Sequence, residues 1–223
     1  IQTEARALYA AGKFEEAWVE FTRNSDTERR VLYALGKGKK VHHAVWAMGA
    51  MPMRFYITAF QSAVFNAVLD ERLRDEAAGG AGIGALREGD LAWKHDNGAV
   101  FAVDAPTLAD PTTTERLDRV EISPSGPMWG DEMMRPAGKT LEAEQGALDA
   151  TGVSVDALIE FGRKLRDPVP GKRRPLRIPL SMPDVEAGTD EHGHYIKVAF
   201  ELPAGSFATV VLRELMKPDR VGT

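Results

Sequence analysis

Ile57, Phe60, Val64 and Val68 recur at spacings of three and four, which marks the buried stripe of a helix running from Met53 to about Glu76. Shorter helical patterns cover Glu4–Ala11, Phe14–Arg23 and Asp26–Leu35, separated by Gly12, Asn24 and Gly36. Two more follow at Thr140–Ala150 and Val155–Leu165. Apolar runs at Asp90–His95 and Ala99–Val103 flank Asp96-Asn97-Gly98, a turn tolerant of positive φ, and together predict a hairpin. Arg174–Pro179 reads as a short strand. His194–Leu202 places Tyr195, Val198, Phe200 and Leu202 among polar neighbours, as a half-buried strand does, and Ser206–Met216 closes the chain as a helix. Gly79–Gly84 reads as a flexible break, Leu108–Thr114 as a Pro/Thr loop, and Ser123–Pro136 as irregular chain. Helices and strands without regular βα alternation predict the α+β class.

Composition narrows the chemistry. An apolar fraction of 43% over 223 residues supports a real core. With no cysteine, disulfides and thiolate metal sites are excluded, and a reducing, cytoplasmic setting fits. No apolar run approaches the roughly 20 residues that span a bilayer, and the opening IQTEARALYAAG reads as an amphipathic helix rather than a signal peptide. A net charge of −5 speaks mildly against a nucleic-acid partner, because phosphate contacts demand Lys and Arg. The distribution answers part of that objection. Arg163, Lys164, Arg166, Lys172, Arg173, Arg174 and Arg177 face a single acid, Asp167, in one stretch. Such a run is either a solvated loop or an RNA backbone contact.

Several familiar chemistries fail. Gly80-Ala81-Gly82-Ile83-Gly84-Ala85 matches G-x-G-x-x-A but follows a charged helix, not a strand, and reads as a linker. Ser125 lies between Pro124 and Pro127 without a nucleophile elbow. His42/His43 and His192/His194 lack acidic companions at ligand spacing, so no metal is expected. Glu142 and Glu144 sit near a helix start, where the helix dipole favours acids. Ala7–Phe21 resembles one tetratricopeptide helix pair, but His42–Met53 does not repeat it.

Four stretches carry a stronger likeness: Phe55–Asn66 (FYITAFQSAVFN), Gly89–Gly98 (GDLAWKHDNG), Ile122–Gly130 (ISPSGPMWG) and Leu202–Leu215 (LPAGSFATVVLREL). In this order they resemble the TruD family of tRNA pseudouridine synthases, from about Ala7 to Leu215. The resemblance implies a helix-rich inserted domain over residues 1–180, carrying a small mixed or antiparallel sheet. Residues 181–223 would then return as the closing strand and helix of a pseudouridine synthase catalytic domain. It also implies isomerisation of a uridine in transfer RNA, at position 13, with an aspartate nucleophile and neither metal nor cofactor. That aspartate belongs to a Gly-x-Lys-Asp motif, which does not occur in these 223 residues. With Ile1 as the first residue, the expectation is a C-terminal part that is inactive alone.

Phe207 matches a family phenylalanine that contacts the target nucleotide. By helical period it stands about 100° from the stripe of Ala208, Val211, Leu212 and Leu215; the residue pattern alone favours a flanking core phenylalanine, and the resemblance reverses that reading. Gly205 and Ser206 would shape the pocket wall, Ser206 serving also as a helix cap. Arg213, Lys172, Arg173 and Arg174 are the candidate RNA contacts, Arg213 being equally able to pair with neighbouring acids. The competing readings are a non-enzymatic helical interaction module and a catalytically inactive RNA-binding relative. No oligomeric state follows from the sequence.

Overall fold

The structure, a computed structural model, describes residues 2–21, 24–80 and 82–217. The expected helix end at Arg23 and the tail of the expected 181–223 segment beyond Lys217 lie outside these. The chain divides into two compact units, residues 1–65 with 154–169 and residues 66–153 with 170–223.

In the first unit, α1 (Gln2–Ala10) packs on α2 (Phe14–Glu20), and α2 on α3 (Asp26–Gly36). Leu32, Ala34 and Leu35 are the buried side of α3, and Ala34, Leu35 and Ala44 form a core with Phe14, Val31 and Ala47 against them. Arg29 fastens α3 to the end of α2: its Nη1 donates to the Trp18 carbonyl at 2.9 Å and the Phe21 carbonyl at 2.7 Å. A short helix, α4 (Val41–Ala44), and a 3-10 turn (Val45–Met48) lead to α5 (Ala50–Ala77). The other long piece of this unit, α9 (Val155–Leu165), begins at a Ser154 cap that accepts from Ala157 N at 3.2 Å. Phe161 of α9 stacks on Trp46 with centroids 5.4 Å apart. Gly162 has no alternative residue, since a Cβ there would meet the Asp167 carbonyl at 2.9 Å.

The periodicity of α5 is as expected. Met53, Val64 and Val68 are buried, with Ile57 and Phe60 half-buried, and the stripe runs on to a buried Arg72.

The second unit is built on a four-stranded antiparallel sheet, in the order β2 (Val100–Ala102), β1 (Leu91–Lys94), β3 (Ile122–Met128) and β4 (Lys172–Pro175). β1 and β2 are the expected hairpin; Asn97 Oδ1 accepts from Ala99 N at 2.8 Å, and Gly98 takes φ +73°. β3 overturns the reading of Ser123–Pro136 as irregular. Every residue of ISPSGPM is buried, although prolines supply no ladder donor and are usually kept off central strands. Other bonds fill in: the Ser125 side chain donates through Oγ to the Leu91 carbonyl at 2.6 Å, and the Pro124 carbonyl accepts from the Leu176 backbone N at 2.9 Å.

Leu108–Thr114 is not a loop either. It belongs to α6 (Ala105–Ala109) and α7 (Pro111–Asp118), each opened by an aspartate cap followed by proline in the first turn. Asp104 Oδ1 accepts from Thr107 N at 2.9 Å and Thr107 Oγ1 at 2.5 Å; Asp110 Oδ1 accepts from Thr112 N at 2.9 Å. Those bonds hold the Asp104 carboxyl below its ordinary range. Leu86, Ala92, Val103, Leu117 and Ile122 make the core of this unit, with Phe101 at its edge. α8 (Gly138–Asp149) contributes a buried face of Thr140, Glu144 and Leu148.

After the sheet come β5 (Ser181–Asp190), which the sequence reading missed, β6 (Gly193–Glu201) and α10 (Ala208–Met216). Among the described residues β5 and β6 pair only with each other, Val185 facing Val198 and Ala187 facing Ile196. Tyr195 lays its ring over Gly188, in space a side chain would occupy. Helices with small antiparallel sheets make the chain α+β, as expected. Among the described residues no helix is long and apolar enough to cross a membrane.

Candidate functional site

The turn from β6 into α10 brings three of the expected site residues together. Gly205 adopts φ +86°, a left-handed conformation that glycine reaches without strain, and Ser206 N donates to the Pro203 carbonyl at 3.2 Å. Phe207, not Ser206, occupies the cap position of α10, and no side chain caps the helix. The first N–H groups of α10 therefore have no side-chain partner there, which leaves them able to face an anion. The Phe207 ring is 70% exposed.

The inward packing expected of Ala208, Val211, Leu212 and Leu215 is absent: no residue of α10 is buried, because no described element covers its apolar stripe. Arg213 is exposed in the last turn.

The basic run divides. Arg163, Lys164 and Arg166 end α9 in the first unit, with Lys164 Nζ 2.8 Å from Glu160; Lys172, Arg173 and Arg174 lie on β4 in the second. Strand alternation separates the last three. Lys172 is exposed and Arg174 half-buried, but Arg173 is 3% exposed, which corrects its assignment as an RNA contact. Its Nη1 and Nη2 grip both Glu144 carboxylate oxygens at 2.7 and 2.6 Å, while Nε donates to Ser125 Oγ at 3.1 Å and Nη2 to the Ser125 carbonyl at 2.5 Å. Glu144 is thus a buried partner rather than a surface acid answering the helix dipole. Burial pushes its carboxyl up, and the bonds and charge of Arg173 pull it part of the way back.

A second buried pair stands close by. Arg72 donates to Asp90 Oδ1, which also accepts from Thr140 Oγ1 at 2.8 Å, and Asp90 Oδ2 accepts from Arg87 N at 2.8 Å. Both aspartate oxygens are satisfied, which gives the first of the two acids in Gly89–Gly98 a structural reason. A cleft of about 840 Å3 opens beside this network. Its charged lining balances: Arg72, Arg87, Arg135 and Lys139 against Glu71, Glu88, Asp104 and Glu144. Such a cleft has no net pull on an anion.

His95 and Ser123 resemble a base and its nucleophile, with Nε2 and Oγ 2.8 Å apart. Ser123 is 0% exposed, so no substrate carbon reaches it. Arg177 Nε donates to the same oxygen at 3.0 Å, which leaves the serine proton for a neutral imidazole. Burial and then the charge of Arg177 hold His95 below the ordinary histidine range. The sequence alone does not reveal this pair or the burial of Asp90, and it presents Glu144 only as an acid near a helix start. One signal was available: Thr140, Glu144 and Leu148 recur every four residues, so Glu144 shares a face with a core leucine.

A crystal structure of a candidate tRNA pseudouridine synthase D from Methanosarcina mazei shares this fold, with a TM-score of 0.76 and 24% identity over 96% of this chain and 50% of that one. In sequence, a protein of Syntrophotalea carbinolica named tRNA pseudouridine synthase D is 37% identical over 212 residues, 95% of this chain and 49% of its own length. Its namesake in Geobacter sulfurreducens is 38% identical over 210 residues, 94% and 47% of the two chains. The family model for tRNA pseudouridine synthase D (TruD) matches residues 1–215, and the chain belongs to that family. The chain spans about half the length of these relatives.

Proposed function

We propose that the protein to which this chain belongs is a cytoplasmic tRNA pseudouridine synthase, acting on the uridine at position 13 of a transfer RNA. The family match over residues 1–215 carries the reading. In the reaction the bond from uracil N1 to the ribose breaks, the base turns, and C5 bonds to the ribose carbon while its proton is lost and N1 gains one. An aspartate nucleophile drives these steps without metal or cofactor. Since no Gly-x-Lys-Asp stands in the 223 residues, they do not supply it.

Their part is to hold the nucleotide. An enzyme acting on a base takes it out of the stack and grips it on an aromatic face. The exposed Phe207 supports that role, with Gly205 allowing close approach and Ser206 beside the start of α10, which no side chain caps. Residues 181–217 would form the closing part of the catalytic domain, and Lys172, Arg174 and Arg213 would meet phosphate. The uncovered apolar sides of β5–β6 and α10 support the docking.

Pseudouridine formation on unmodified tRNA tests the reading. The 223 residues alone should show no turnover. The whole protein should be active, and Phe207→Ala should lower its single-turnover rate about tenfold to a hundredfold, the loss of one base–aromatic stack worth roughly 1–3 kcal/mol. Melting of this chain should be unchanged by the same substitution. Turnover by the chain alone, or a Phe207→Ala protein that melts early but works normally, overturns the assignment.

A further inference from the structure

The first unit carries a groove of a different character from the cleft of the second. Arg29–Lys40 holds five basic side chains and no acidic one, in a chain of net charge −5. Arg30 and Tyr33 on α3 and Lys37 at its C-cap are spaced three and four apart, so they fall on one side, with the outer two roughly 10 Å apart along the axis. With Trp18 and Lys39 they line a groove of about 450 Å3. Tyr33 is 59% exposed, and Lys37 Nζ lies 5.4 Å from its ring centroid. Trp18 is fixed in the opposite manner: the Arg29 guanidinium sits 3.9 Å above its ring while donating to two carbonyls of the α2 end. Among the described residues one acid lines the groove, Asp26, whose Oδ2 pairs with Arg30 Nη2 at 2.7 Å across exposed side chains.

This is an exposed aromatic side chain among exposed cations, with Lys37 over one side of its ring. A globular protein partner would need a broad apolar patch. An acidic peptide would use the lysines and leave the Tyr33 face without purpose. Single-stranded nucleic acid uses both, because each base offers a π-face and each link a phosphate. We propose that this groove is a second RNA-binding site, one base stacking on Tyr33 and the flanking phosphates meeting Lys37, Lys39 and Arg30, the last exchanging Asp26 for phosphate. It concerns other residues than Phe207 and needs no isomerisation, so it stands or falls apart from the catalytic reading.

The test measures fluorescence anisotropy of a short labelled single-stranded RNA titrated with the full 223-residue chain. Tyr33→Ala should weaken binding about tenfold, and Tyr33→Phe, which keeps the stack, should not. The double variant Lys37→Glu/Lys39→Glu should lower the slope of log affinity against log salt by about 1.4, the expectation for two lost phosphate contacts on a single strand. Lys139→Glu, in the other unit, should change affinity far less. Circular dichroism and melting confirm folding, and the Tyr33→Phe and Lys139→Glu arms keep the comparison readable if one variant is unstable. Unchanged affinity in both groove variants overturns the proposal. So does an oligoglutamate probe that binds as tightly as RNA and responds to the same substitutions, which would mark the groove as a site for acidic protein segments.

Discussion

Two parts of the second unit are made of antiparallel strands, and they solve opposite problems. In β1–β4 the ladder is closed over: β3 is buried along its whole length, and even the charged residues beneath it, Glu144 and Arg173, are sealed in pairs. In β5–β6 the ladder is longer and in register from Asp184 to Asp190, with a shift between Ser181 and Asp184, but Val185 and Ile196 remain exposed, Ile196 at 73%, and α10 adds a second uncovered apolar stripe. Hydrogen bonds form a strand in both places; only burial makes one of them a core. A lone two-stranded hairpin is at best marginally stable in water.

Ion pairs give the sharpest way to break that comparison. Glu144–Arg173 and Glu186–Lys197 have similar lengths, 2.6 and 3.1 Å, yet the first is sealed and the second has about three-fifths of each side chain in water. Glu144→Ala should cost about 3–5 kcal/mol, because it strands a buried guanidinium. Glu186→Ala should cost under about 1 kcal/mol after solvent screening. Urea unfolding of both variants measures the gap, and equal losses would mean the hairpin is covered in solution.

Isoleucines test the same contrast through packing. Ile122→Ala, at a site with no exposure, should cost about 2–5 kcal/mol. Ile196→Ala should stay within about 0.5 kcal/mol, as surface changes do. A loss at Ile196 approaching that at Ile122 would show a partner seated on the hairpin.

The smallest expected effect is on pH. The folded His95 imidazole takes its proton below the ordinary 6.5, so between the two values the unfolded chain binds more protons. Its contribution is fully present above pH 6.5 and is lost as pH falls through the folded value. The urea midpoint should therefore drop between pH 7.5 and 5.5, and His95→Gln should flatten that slope. An identical slope in the variant would assign the acid sensitivity elsewhere.

The long helices were legible in the sequence because Val64 and Val68, or Leu158 and Gly162, recur at helical spacing and are buried. β3 was not, since period-two reading counts prolines and glycine as breaks and cannot see Ser125 and Arg173 replacing ladder bonds. α6 and α7 were hidden by their threonines, although Asp-Ala-Pro and Asp-Pro are helix openings. β5 has few apolar residues, and only pairing with Ile196 and Val198 gives Val185 and Ala187 a face. At the site, Phe207 could be named from the terminal stretch. Which of Lys172, Arg173 and Arg174 turns inward depends on strand phase, and adjacent cations carry no phase signal.

The two prolines of β3 also bear on how the chain avoids error. A fully apolar central strand, exposed before the sheet closes, is a template for pairing with other molecules. ISPSGPM offers such a stranger a ladder with two donors missing, whereas Leu91 of β1, Arg173 of β4 and Leu176 just past β4 are already placed to bond with it. Pro124 and Pro127 are therefore expected to work as gatekeepers. Replacing them with valine would improve the strand on paper and make the unfolded chain more prone to aggregate.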